Sequence, residues 1–512
     1  MDSEIFERPW TGGGKAAAMT TFRRFDNEPR SSLWLWNFIA ESRTTESGPQ
    51  GRGRGILTTL YRMAKAARGR PVLAFLAWVA LVLPVHGEDQ PIVPKMVFAH
   101  YMVCCPAAGL TASVDDIKKE IGIAQSNGID GFALNTASWS KYPYYRAISR
   151  NILQAAEAYP GFKIILSFDD VSPEDSAPML VEAAESPSYL RIDGNPVVST
   201  YSMTPEWGTA LIKLLSASGT KPFMVPNYQY LSNSFTSRVY VHPTADFIDE
   251  LYRDHKDIDG YLAFGPDLGY PDPPLDGALT AERSRLAHKV SMIGIMPYYR
   301  GLRGNFRVFE NGGFEGMAAQ WTAAIKAGID WVEIVTWNDW GEDTYVAPFS
   351  DDIRNQDLWN YHWGPLLDHQ AFLRASRYYI DWFKSSRPPV IEHPAIYYFY
   401  RLHAKTAYGI ASPDTGEQGR PKGWEKLVDA IHVTSFLPKP LTLVVTVGDH
   451  RQAKMLAAGV QHVSFDMTEG PVTITALDEQ GQQIARKQLE FPITRLGQIG
   501  NFNYFAGEIR LP

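Results

Sequence analysis

The sequence predicts an α/β chain: a (β/α)8 TIM-like barrel followed by a C-terminal all-β, sandwich-like domain. Three observations carry that expectation. From Lys95 onward, short apolar runs alternate with amphipathic stretches, the pattern of repeated β-α units. The last such run, Trp331 to Trp337, has the continuous Val, Ile and Thr character of a parallel strand covered on both faces, and it empties into the polar loop Asn338-Asp-Trp-Gly-Glu342. Beyond Pro388-Pro389 the composition changes to strand-like runs separated by Gly- or Asp-bearing turns.

Residues 1–62 are rich in Arg, Gly, Ser and Thr without sustained periodicity, which predicts a disordered extension. Met63-Ala-Lys-Ala-Ala-Arg-Gly-Arg-Pro71 is basic, residues 72–85 are apolar, and small residues permit a cut after Gly87, the layout of a secretory signal over 63–87. The apolar run is short of the roughly 20 residues of a membrane span. Such a leader belongs at the start of a chain, so translation is expected to begin at Met63. The mature chain is then secreted or periplasmic, with the barrel over 92–388 and a linker and β-domain over 389–512.

Eight barrel strands are expected at 96–103, 129–135, 162–168, 196–201, 222–228, 258–264, 290–298 and 330–337. Helical patterns at 113–126, 144–159 and 317–327 fill gaps between them and stop at Asn127, Pro160 and Gly328. No Gly-x-Gly-x-x-Gly follows the first strand and no Walker-type loop appears, which argues against a dinucleotide or phosphate enzyme. A closing helix is expected over 369–383, then β-strands at 441–447, 460–465, 471–477, 482–490 and 502–509. The β-domain reads as support for the barrel or as a sugar-binding module.

The net charge of −7 argues against nucleic acid or an anionic membrane as the main partner, and the mature chain is expected to be a monomer off the membrane. The two cysteines, Cys104 and Cys105, are neighbours. A disulfide prefers Cα atoms about 5.5 Å apart, so the pair is expected to pack rather than bridge. No Cys/His cluster has zinc spacing and no EF-hand loop occurs, so no metal or cofactor is expected.

Asp339 and Glu342 fall just past the eighth strand, at the end where α/β barrels place their chemistry. Two readings stand side by side. Asp-x-x-Glu is a capping box, and it is also a carboxylate pair for glycoside hydrolysis, one acid protonating the leaving oxygen and the other activating water. Trp337 and Trp340 beside it would offer flat faces to a sugar, and Asn338 a hydroxyl partner. His100 and Tyr101, Asn135, Asp169, Asn227, Asp267, and Tyr298 and Tyr299 lie at or just beyond other strand ends and complete a polar and aromatic bowl. Taken singly, each is also an ordinary cap or turn residue.

With these segments laid out, the chain resembles glycoside hydrolase family 71, the α-1,3-glucanases or mutanases known mainly from fungi, as a divergent, bacterial-type member. The likeness rests on Lys95-Met-Val-Phe-Ala-His-Tyr-Met-Val103, Ile129-Asp-Gly-Phe-Ala-Leu-Asn135, Leu166-Ser-Phe-Asp169, Gly194-Asn-Pro-Val-Val-Ser-Thr200, Trp337-Asn-Asp-Trp-Gly-Glu342, Phe399-Tyr-Arg-Leu-His403 and Asn501-Phe-Asn503. The resemblance implies a barrel with an appended β-domain and hydrolysis of α-1,3-glucan with inversion, with Glu342 as general acid and Asp339 as base. Departures occur at Cys104, Tyr201-Ser202-Met203, Phe264-Gly265-Pro266 and Asp343-Thr344, near strand ends that would line subsites. They leave open a hydrolase of another α-linked glycan such as α-mannan, and a polysaccharide-binding protein without turnover.

Overall fold

Eight short parallel strands, each followed by a helix, build a curled sheet in the computed structural model. The structure describes residues 93–512 apart from 202, 229–242, 266–275, 302–306, 350–365, 409–418 and 495–501. The expected extension and leader therefore lie outside the described residues.

The strands are β1 (Met96–Met102), β2 (Gly131–Thr136), β3 (Lys163–Asp169), β4 (Asn195–Tyr201), β5 (Phe223–Met224), β6 (Gly260–Ala263), β7 (Val290–Ile295) and β8 (Trp331–Ile334). The helices that follow them are α1 (Val114–Ser126), α2 (Pro143–Ala156), α3 (Pro173–Ala183), α4 (Pro205–Ala217), α5 (Ala245–Asp254), α6 (Asp276–Leu286), α7 (Glu315–Ala327) and α8 (Gln370–Ser385). In space the strands run β5-β4-β3-β2-β1-β8-β7-β6, so the first strand lies against the last. The end strands β5 and β6 are linked by two backbone bonds, Asp259 N–H to Met224 O at 2.7 Å and Leu262 N–H to Pro226 O at 3.0 Å. Strand β5 is shorter than expected because Pro222 and Pro226 flank it, and a proline has no N–H for a ladder.

Strand alternation divides the apolar side chains into two layers. Met96, Phe98, Ala133, Ile165, Val197, Leu262, Met292 and Trp331 pack together on the concave face. Val97, Ala99, Phe132, Ile164, Val198 and Val332 pack outward against the helices. Helix starts follow the sequence closely: Ser113, Ser172, Thr204 and Thr244 each accept a backbone N–H at the first turn, and Ser113 forms a full capping box with Asp116.

One recurring tripeptide sets the register. Ile129-Asp130-Gly131, Ile258-Asp259-Gly260 and Ile329-Asp330-Trp331 open strands β2, β6 and β8. In each the aspartate accepts a backbone N–H from the neighbouring strand: Asp130 from Val97 at 2.8 Å, Asp259 from Met224 at 2.9 Å and Asp330 from Ser291 at 3.0 Å. Glycine follows twice because a Cβ there would sit 2.1 Å from Lys163 O at Gly131, or 2.5 Å from Val290 O at Gly260.

The C-terminal segment forms two four-stranded antiparallel sheets. The strands are β9 (Ala395–Arg401), β10 (Ala430–Leu437), β11 (Leu441–Val447), β12 (His450–Leu456), β13 (Gly459–Asp466), β14 (Val472–Leu477), β15 (Gln483–Gln488) and β16 (Tyr504–Arg510). Sheet order is β13-β10-β9-β16 in one and β12-β11-β14-β15 in the other, with Ile396, Tyr398, Ile431, Leu443, Val445 and Ile474 in the core they share. The first sheet also packs on α8, with Phe372 against Phe399 (4.6 Å between centroids) and Tyr378 against Phe436 (5.2 Å). The segment after β7 is joined to it through charge: Glu310 accepts from Val428 N at 2.6 Å and from the Tyr504 phenol, and lies 3.7 Å from Arg401, which donates to Asp429 at 2.8 Å.

Replacing Asp130 by Ala removes the acceptor of Val97 N–H and the partner of Lys384 at 2.6 Å. The expected loss is about 1–3 kcal/mol, the cost of an unsatisfied buried donor, read as a lowered denaturation midpoint.

Candidate active site

The loop leaving β8 is held from three sides before any acid on it is considered. Trp337 N–H donates to His100 O at 2.7 Å, a contact with β1 three residues past the end of β8. Asn338 then grips β1: its Oδ1 accepts from Met102 N at 2.7 Å, and its Nδ2 donates to Met102 O at 3.0 Å and Cys105 O at 2.7 Å. The Trp337 indole donates to buried Glu120 on α1 at 2.7 Å and the Trp340 indole to Cys105 O at 2.9 Å. Thr336 ties the loop to its own return, bonding Thr344 through backbone (3.0 Å) and hydroxyl (2.9 Å).

This anchoring leaves Asp339, Gly341 and Glu342 half-buried, while Asn338, Trp340 and Asp343 around them are buried. Asp339 Oδ1 accepts Glu342 N–H at 2.9 Å, and Asp339 N–H donates to Thr336 Oγ1 at 2.9 Å. That is half of a capping box. Turns rather than a helix follow, and the Glu342 carboxylate accepts the Tyr299 hydroxyl at 3.0 Å. Burial raises the pKa of both acids. For Glu342 the rise reaches about 8, with the like charge of Asp339 adding to burial and the Tyr299 hydroxyl and Arg307 opposing it. For Asp339 the Glu342 N–H and the neighbouring His100 oppose burial. The negative charge of one carboxyl disfavours ionisation of the other, so the two titrate as a pair.

Beside the acids lies a buried ion pair, the Arg300 guanidinium on the Asp343 carboxylate. Burial pushes Asp343 up to about 6 while Arg300 pulls the other way, and Asp343 adopts φ 54° at the turn. Arg300 N–H also donates to Glu342 O at 2.9 Å, so this pair braces the second acid from below.

The concave face gathers several of the expected residues. His100 and Asn135 sit on neighbouring strands, with Asn135 Nδ2 donating to Asp169 Oδ2 at 3.2 Å. Asn227 Nδ2 donates to Leu262 O at 2.9 Å, and Tyr299 touches Glu342 directly. Other expectations are corrected by the packing. Tyr101 follows His100 and so points the opposite way, against Glu120 and Phe132 in the helix layer. Tyr298 donates to Phe502 O and packs on Tyr504. Trp337 (0% exposed) and Trp340 (1%) have no open face for a sugar, and Asn338 is spent on the backbone of β1. Asp267 lies outside the described residues.

Sequence reasoning missed Glu333, fully buried on β8, whose Oε1 lies 2.6 Å from His100 Nδ1. A charged residue inside the apolar run Trp331-Val-Glu-Ile was the available signal, because an unpaired charge there costs far too much to keep. Arg300 and Arg307 left no comparable mark, and Asp343 stood out only as a departure from the family pattern. The cysteines are a second correction: Cys104 and Cys105 are bridged, with Cα atoms 3.8 Å apart. The tight turn after β1, closed by Cys105 N–H on Met102 O at 3.0 Å, brings the adjacent side chains together.

Residues 93–511 match the family model described as Glycosyl hydrolase family 71. A mutanase of Penicillium rubens is 27% identical over 437 residues, covering 81% of this chain and 89% of its own. The ascus wall endo-1,3-alpha-glucanase of Schizosaccharomyces pombe is 24% identical over 400 residues (72% and 86%). A glucan endo-1,3-alpha-glucosidase of the same yeast is 24% identical over 445 residues (81% and 94%).

The electrostatics predict an unusual pH dependence of stability. Glu342, Glu120 and Asp343 have folded pKa values raised to about 8, 7 and 6 from ordinary values of 4.5, 4.5 and 3.8. A raised carboxyl favours the fold below its unfolded pKa, and that contribution is lost as pH climbs through the folded value. The melting temperature should therefore fall from about pH 4.5 to about pH 8. Glu342→Gln should flatten the decline; an unchanged slope would contradict the burial of that carboxyl.

Proposed function

The chain belongs to glycosyl hydrolase family 71, and from that premise we propose that it is a secreted enzyme that cleaves α-1,3-glucosidic bonds of an α-glucan with inversion. The observation that carries the reading is the carboxyl pair Asp339 and Glu342 on the loop after β8, tied together by the Glu342 N–H on Asp339 Oδ1 at 2.9 Å. Hydrolysis of a glycosidic bond asks for one acid still protonated near neutral pH and one carboxylate beside it. Glu342, whose carboxyl pKa burial raises to about 8 and whose orientation a Tyr299 hydroxyl fixes, is the general acid that protonates the leaving oxygen. Asp339, raised by burial against the opposing pull of the Glu342 N–H and His100, is the base that takes a proton from the attacking water.

His100, Asn135, Asp169, Asn227 and Tyr299 are the hydroxyl partners in this reading. The sheet acts as a closed barrel, a view supported by the two backbone bonds between β5 and β6. Secretion is supported by the signal-like pattern of 63–87 and by a disulfide, which persists in oxidising compartments. Among the described residues no helix is long and apolar enough to cross a membrane.

Incubation with a panel of α-glucans and α-mannans, followed by reducing-end measurement, tests the substrate; release from α-1,3-glucan is expected. Asp339→Asn and Glu342→Gln should each lower turnover by about 10² to 10⁴ with the fold intact, the range for removing a positioned proton-transfer group. A residue that only caps a turn costs about 1 kcal/mol of stability and spares the rate, so near-normal turnover with a lowered melting temperature would overturn the assignment.

Stereochemistry tests the water-activating role separately. Early anomeric-proton NMR of the digest should show β-configured reducing ends before mutarotation. Initial α-product would instead require a covalent intermediate and carboxyls only about 5–5.5 Å apart, and Asp339 would lose its role as base.

A further inference from the structure

We propose that Tyr142, Tyr144 and Tyr145, at the start of α2, form a binding platform for glucose units of the substrate chain that lie beyond the bond being cut. The inference rests on the α-1,3-glucan reading above. Three phenol rings cluster here with centroids 4.8 to 6.1 Å apart and mutual tilts of 39 to 56°. Tyr145 packs partly against the core, but α2 fills that core with Ile148, Ile152 and Leu153, and Trp139 plugs the loop through its bond to Thr136, which leaves Tyr142 and Tyr144 outside it. Nor do they cap the helix, because Tyr142 makes no side-chain cap bond. Tyr144 is 38% exposed, although large rings are normally buried unless something covers them.

The platform is rigid and continuous with the site. Ser138 and Ser140 in its loop bond Asp175 on α3 at 2.6 and 3.0 Å, and Pro143 sets the first helical residue. Tyr145 lies within electrostatic reach of Asp169, which is bonded by Asn135 on β2. Asn135 is in register with Met102 of β1, and Met102 is the residue that Asn338 grips beside Asp339. Beyond the electrostatic link of Tyr145 to Asp169, each step is a direct contact or pairing, and adjacent strands are only about 4.8 Å apart, so β2 lies about two strand spacings from β8.

A sugar chain fits this surface better than a protein. Tilted rings offer apolar faces to the C–H faces of pyranose units, while phenol hydroxyls and the Asp169 carboxylate meet ring hydroxyls at the edge. Three rings are far too little surface for a stable protein interface, which buries about 1,200–2,000 Å².

The test compares the full chain carrying Tyr142→Ala and Tyr144→Ala together with the parent enzyme on two substrates. On insoluble α-1,3-glucan, kcat/KM should fall about 5-fold or more, the loss of two ring contacts of ordinary strength. On an aryl α-glucoside or the shortest oligosaccharide cleaved, it should stay within about 2-fold of the parent. A Tyr144→Trp variant, which keeps a ring face, should retain activity on the long chain. An equal loss on both substrates, or no loss on the polymer, overturns the platform. Retention of the Glu342→Gln chain on insoluble glucan separates the two readings. If that chain binds and the added tyrosine changes leave binding undiminished, the platform is wrong and the glucan reading stands. If the parent neither binds nor cleaves α-1,3-glucan, the glucan reading fails and the platform falls with it.

Discussion

The pairing of β1 with β8 is the contact on which the rest of the site depends. It joins segments more than 230 positions apart, starting with Met96 opposite Trp331 and ending with Ala99 opposite Ile334. Three further contacts extend it beyond the ladder: Glu333 to His100, Trp337 N–H to His100 O, and the Asn338 amide around Met102. Ordering such distant segments is entropically expensive, and a ladder of only four residue pairs would position a loop poorly. The side-chain grip of Asn338 is what turns a short ladder into a fixed platform. Once that grip exists, Asp339 and Glu342 have few choices of direction.

The same loop carries an electrostatic cost in this glycoside hydrolase. Carboxyls that resist ionisation are a liability to the fold at neutral pH, and three of them cluster around the end of β8 as Asp339, Glu342 and Asp343. Asp343 is compensated by Arg300, as a buried charge must be. Asp339 and Glu342 have only partial compensation, from a backbone N–H, a phenol and charges that do not touch them. Groups that are merely structural tend to be paired off. A half-buried pair of raised carboxyls with only partial compensation is an arrangement found at reactive groups.

Tryptophans and asparagine in the same motif are put to a different use. Trp337 and Trp340 are anchors whose indole N–H groups reach Glu120 and Cys105 O, and their rings wedge the loop against Phe132 and Tyr345. Their presence beside the acids is therefore a matter of positioning. A similar economy joins the C-terminal sheets to the preceding α/β unit, where Arg401, 1% exposed, is held between Glu310 and Asp429. Strand β10 is buried at every residue, because one sheet face meets α8 and the other meets the second sheet.

Local physics made much of this legible in the chain itself. Period and punctuation marked the eight strands, several of the helices between them with their stop signals, and the acid pair, since each depends on neighbours a few residues away. Strand alternation even dictates that His100 faces inward if Tyr101 faces out. Strands β9 and β10 escaped because burial on both faces erases the alternation by which a half-buried strand is recognised. The bridged cysteines escaped because a turn, rather than the residue types, decides whether adjacent side chains meet. Only the tertiary structure could decide that Glu333 meets His100, that Asn338 is spent on β1, and that Tyr299 rather than Tyr298 reaches Glu342. Those are contacts between residues distant in sequence or differing only in which face of the chain they leave, and no composition, period or spacing encodes which partner waits across the sheet.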